Sequence, residues 1–129
     1  PRTFSSAASD VYKRQTYADL YEQSSKLRHF FSKFKINRED RVIILMQDVI
    51  SYPIIFWGCL KSGVIPVLLN TLLSSEVVNE IINNSRAKAV FISSRLLSSF
   101  ENSIKQNASI KHIIEVGTNK SDFHRFNII

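Results

Sequence analysis

The sequence predicts an α/β fold in which a layered parallel sheet alternates with helices. Three observations predict it. Four short apolar runs rich in β-branched residues, RVIILM from Arg41, VIPVLL at 64–69, KAVFIS at 88–93 and KHIIEV at 111–116, have the length and composition of strands. The stretches between them repeat their apolar residues every three or four positions, so each connection is a helix-length crossover, and strands joined that way pair in parallel. Finally, 129 residues with 44% apolar and 22% charged side chains are the composition of one soluble globular domain able to bury a core.

In chain order, the first helix is expected over roughly 17–34. Thr16 is its N-cap, with Asp19 three residues on, and Tyr17, Leu20, Leu27, Phe31 and Phe34 share one face. RVIILM then reads as a strand covered on both faces. Asp48 can cap the next helix, VISYPIIFWGCLKSG, which stops at Gly63, a residue suited to the left-handed position that closes a helix. Pro53 lies near enough to its start to cost at most about one backbone hydrogen bond. VIPVLL follows as a second strand, again read as buried on both faces. SSEVVNEIINNSRA is a helix opened by Ser74 or Ser75, with Glu76 in its electropositive first turn. After KAVFIS comes SRLLSSFENSIKQN, with Leu96, Leu97, Phe100 and Ile104 on one face, and then KHIIEV. The tail from Gly117 shows no periodicity.

Ligands of open α/β sheets sit beyond the carboxyl ends of strands, which directs attention to the loops QDVIS, NTLLSS, SSRL and GTNK. None is glycine-rich, and the chain has three glycines in all, with neither G-x-G-x-x-G nor G-x-x-x-x-G-K-[ST] to cradle a phosphate. A response-regulator receiver needs an acidic pair and an acceptor Asp at strand ends, whereas only Asp48 is available and FISS ends in serine. His29, His112 and His124 are far apart and make no metal-ligand spacing, so His29 reads as a helix-surface residue and His112 as a strand residue. Cys59 stands alone within an apolar helical pattern, which excludes a disulfide framework and a cysteine metal cluster and makes it a buried thiol. No nucleophile–base constellation is visible, and the expected catalytic, cofactor-binding and metal residues within the chain are none.

The formal charge of +6 could suggest an anionic partner. Part of it belongs to Arg2, Lys13 and Arg14. Lys26, Arg28, Lys33, Lys35, Arg38 and Arg41 are interleaved with Glu22, Glu39 and Asp40, the pattern of a solvated helix face, and no nucleic-acid partner is expected. No apolar run approaches the roughly 18 residues of a membrane span, and PRTFSSAASDVYKRQ has no apolar signal core, so a cytoplasmic location is the expectation. The sequons at Asn83, Asn107 and Asn119 are what an Asn- and Ser-rich chain makes by chance.

A further set of residues occurs in a characteristic order: T-Y-x-x-L from Thr16, Asp40-Arg41 entering the first strand, Gly58 and Lys61-Ser62-Gly63 on the next helix, Pro66 in the second strand, Asn70 at its end, and Ser85-Arg86-Ala87 before the third. Across Thr16 to Gly117 this order resembles the N-terminal part of AMP-forming acyl-CoA synthetases, the adenylate-forming ligases. Most of that family carries Asn-Pro after the second strand. This chain has Asn70-Thr71-Leu72-Leu73 and, with Asp48 and Pro53, is most similar to the benzoate-CoA ligase branch. The resemblance implies an incomplete N-terminal part of a larger adenylate-forming domain. The complete ligase would use ATP, Mg and coenzyme A: a small-molecule carboxylic acid, aromatic or related, attacks the α-phosphate of ATP, and the thiol of coenzyme A then displaces AMP. The family's phosphate loop, ribose-binding Asp, acyl pocket and mobile-domain Lys are expected beyond Ile129, so residues 1–129 alone are expected to be inactive. Two alternatives remain open: the adenylation domain of a peptide synthetase, which delivers its acyl group to a carrier-protein thiol, and a non-catalytic α/β binding module.

The resemblance begins abruptly at Thr16. Residues 5–15, SSAASDVYKRQ, match a widely used transposase sequencing adapter when read back into codons in frame. The expected organisation is therefore an artefactual, disordered leader at 1–15, the N-terminal part of an AMP-dependent synthetase/ligase domain at 16–117, and a truncated tail at 118–129.

Overall fold

The computed structural model describes residues 17–47, 51–117 and 127–128. Helix α1 (Tyr17–Lys33), strand β1 (Arg41–Leu45), helix α2 (Ser51–Ser62), strand β2 (Ile65–Leu68), helix α3 (Ser75–Ser85), strand β3 (Ala89–Ser93), helix α4 (Ser94–Lys105), strand β4 (His112–Val116) and strand β5 (Asn127–Ile128) follow in that order. The eight elements expected from the sequence occur to within about two residues at each end. The caps assigned to Thr16 and Asp48, the leader at 1–15, the loop GTNK beyond Gly117, Asn119, His124 and the organisation of the tail lie outside the described residues.

The sheet has the order β2-β1-β3-β4-β5. The first four strands are parallel, with Val42 opposite both Pro66 and Ala89, and Ala89 opposite His112. β5 runs antiparallel to β4, pairing Ile128 with Ile114. The four expected strands form the expected parallel sheet, and β5 is an addition from the tail, where a strand of two residues leaves no periodic signature.

Alternating side chains of the sheet feed two cores. Val42, Ile44, Phe91 and Ile114 pack under Leu27 and Phe31 of α1 and Ile55 and Cys59 of α2. Ile43, Leu45, Val90 and Ile92 pack under Val78 and Ile82 of α3 and Phe100 and Ile104 of α4. Burying each such side chain contributes about 1.5–3 kcal/mol. Cover on both faces is why β1 and β3 are continuous apolar runs, as the sequence suggested.

The expectation that β2 is buried on both faces is not met: Ile65 is 44% and Leu68 48% exposed. β2 is an edge strand with β1 as its neighbour. The N–H groups of Ile65 and Leu69 donate to Asp40 O and Ile44 O across the β1 side, so Pro66, in the opposite phase, places its missing N–H on the open side. Proline there blunts the edge against a further strand. Tyr17 also departs from expectation, being 92% exposed. The first turn of α1, Tyr17 to Asp19, is exposed, and the apolar face of the helix is buried only at Leu27 and Phe31.

Helix ends follow the sequence closely. Gly63 has φ +72°, with Gly63 N–H donating to Leu60 O and Val64 N–H to Cys59 O, the paired bonds that close a helix through a left-handed residue. Ser74 is the N-cap of α3, its hydroxyl accepting from Val77 N–H at 3.3 Å. Among the described residues no helix is long and apolar enough to cross a membrane.

Candidate functional site

The helices define where a ligand crevice would open. α2 leaves β1 on one face of the sheet, whereas α3 and α4 lie on the other, so the winding reverses between β1 and β3. In doubly wound sheets the crevice forms at the carboxyl ends of the two strands flanking such a reversal. Here those ends are Met46–Gln47 and Ser93–Ser94.

Hydroxyl groups stitch this rim together. Ser93, 1% exposed, accepts a hydrogen bond from Gln47 N–H at 2.9 Å, joining the two strands across the reversal. Ser93 also occupies the N-cap position of α4 in extended conformation, but it makes no side-chain cap bond. The Ser94 hydroxyl donates to Val116 O at 3.3 Å and ties the start of α4 to the end of β4. Beyond β2, Asn70 Oδ1 accepts from Leu72 N–H at 2.9 Å, fixing the turn that leads to the Ser74 cap. Of the loops singled out in the sequence, the structure thus brings together the described parts of QDVIS and SSRL at the reversal, with NTLLSS at the β2 edge. Sequence reasoning reached Ser93 only as part of the loop SSRL and gave it no role. Its signal was a serine closing the apolar run AVFIS directly before a helical pattern.

The titratable candidates are elsewhere. Cys59 lies in the core under α2, and burial pushes its thiol from an ordinary 9.0 up to about 12, which removes thiolate chemistry near neutral pH. His29 is exposed on α1. His112 stands at the amino end of β4, packed edge-on against Phe34 with ring centroids 4.9 Å apart. Among the described residues no three His, Cys, Asp or Glu side chains gather as a metal site.

The residues that carry the family resemblance serve the framework. Arg41 Nε donates to Ser85 O at 2.7 Å, joining the amino end of β1 to the end of α3. Asp40 accepts from Asn37 N–H and pairs with Lys88 at 3.0 Å. Lys61 Nζ sits 3.4 Å from the Tyr21 ring centroid and donates to Ser25 Oγ at 2.7 Å, clipping α2 to α1. Partly exposed charges on α1 and α4 form the i,i+4 pairs Glu22–Lys26 and Glu101–Lys105.

Comparison with known proteins agrees with this framework. A family model described as AMP-binding enzyme matches residues 3–126, a span that takes in most of the leader segment. A 4-hydroxybenzoate–CoA/benzoate–CoA ligase of Rhodopseudomonas palustris is 29% identical over 108 residues, covering 84% of this chain and 20% of that ligase. A long-chain-fatty-acid–CoA ligase of Haemophilus influenzae is 31% identical over 100 residues, covering 77% of this chain and 18% of that ligase. The crystal structure of a benzoate CoA ligase from Burkholderia xenovorans LB400 shares the fold with a TM-score of 0.76 at 26% identity, over 85% of this chain and 22% of that one. The chain spans about a fifth of the length of these relatives. With the match running from residue 3 to residue 126 and the sheet shared with a solved ligase, the chain belongs to the AMP-binding enzyme family.

Proposed function

We propose that this chain is the N-terminal part of an ATP-dependent acid–CoA ligase, which activates a carboxylic acid as its acyl adenylate and transfers the acyl group to coenzyme A. The observation that carries the reading is the 108-residue match to a 4-hydroxybenzoate–CoA/benzoate–CoA ligase. An aromatic or related acid is the proposed substrate. What supports it over a fatty acid is the longer match, 108 residues to the benzoate ligase against 100 to the fatty-acid ligase.

ATP, Mg and coenzyme A are the cofactors of the proposed complete enzyme. The described residues lack the usual cradle for a nucleotide phosphate, since no glycine-rich loop follows β1, β2 or β3. No chemical step is assigned to this chain. Its part is to hold the β1/β3 reversal and the two helical layers in place, and the proposed division of the chain is a leader at 1–15, the ligase segment at 16–117 and the tail at 118–129. We place the protein in the cytoplasm.

The test is thioester formation by the complete gene product containing this sequence, with ATP, Mg, coenzyme A and a panel of aromatic and aliphatic acids. The expected product is an aromatic acyl-CoA. Turnover of fatty acids alone would overturn the aromatic assignment, and acyl transfer only to a carrier-protein thiol would overturn the CoA ligase reading.

A further inference from the structure

We draw no further inference here: the strongest candidate, the exposed apolar surface of Trp57 and Leu60 on α2, is an unpartnered face, and nothing in the structure shows what covers it.

Discussion

Gly58 lies directly against Leu27. A Cβ built on Gly58 would stand 2.9 Å from Leu27 Cβ and 3.0 Å from its Cγ, and Leu27 itself is fully buried. Helices α1 and α2 therefore meet over bare backbone, and the glycine is there for close approach. Gly58→Ala gains about 1 kcal/mol of helix propensity and loses about 1–3 kcal/mol to overpacking. The expected result is net destabilisation of about 1 kcal/mol, read as a lower urea midpoint at unchanged slope. A stabilised variant would show that the two helices do not touch there.

Three helices end on left-handed residues, and only one of these is glycine: Lys35 has φ 58°, Arg86 φ 53° and Gly63 φ 72°. Opposite substitutions at two of these positions should have opposite signs. Gly63→Ala puts a Cβ into positive φ and 2.7 Å from Arg38 Cγ, and is expected to cost about 1–2 kcal/mol. Lys35→Gly relieves the same strain where Lys35 N–H donates to Ser32 O and Ile36 N–H to Phe31 O, and is expected to stabilise by about 0.5–1 kcal/mol. Thermal unfolding of both variants checks the pair, and equal signs would contradict it.

Cys59 gives a pH dependence. Its folded pKa of about 12 is raised above the ordinary 9.0, so between those values the folded state holds a proton that the unfolded state has released. Stability from this group is complete below pH 9 and falls as pH rises toward 12. Cys59→Ala or Cys59→Ser should flatten the alkaline limb of the stability curve. The native thiol should also react with a thiol reagent only at the rate of unfolding, and rapid labelling at neutral pH would contradict its burial.

The periodicity of the chain made the layers legible because each element has a strong local cause: continuous β-branched runs for β1 and β3, Ser74 at a helix start, Gly63 at a helix end. What pairing and packing decide was not legible. VIPVLL does not reveal how many neighbours it will have, so the exposure of Ile65 and Leu68 came from the strand order. The period of α1 puts Tyr17 on the inner face, but nothing local says that the first turn is exposed. The rim at the β1/β3 reversal depends on a bond between Gln47 and Ser93, 46 residues apart, which no motif encodes.

Removing residues 1–15 should leave the fold intact, because SSAASDVYKRQ supplies no periodic apolar face. The family match begins at residue 3, which makes the experiment decisive for the proposed division of the chain. Unfolding free energies of the full chain and the shortened one are expected to agree within about 1 kcal/mol, the scale of a typical point mutation. A larger loss would show that the segment packs as part of the domain.

The central claim is that these residues are framework for an acid–CoA ligase and hold no reaction centre of their own. Adenylation needs groups that orient the acid against the α-phosphate and offset the charge developing there, and no glycine-rich loop follows β1, β2 or β3 to supply them. Pyrophosphate release by the purified 129-residue chain, with ATP, Mg, coenzyme A and the same panel of acids, tests this most directly. The account predicts no acid-dependent release above the protein-free background. Acid-dependent release by a monomeric sample, abolished by heat, would contradict it.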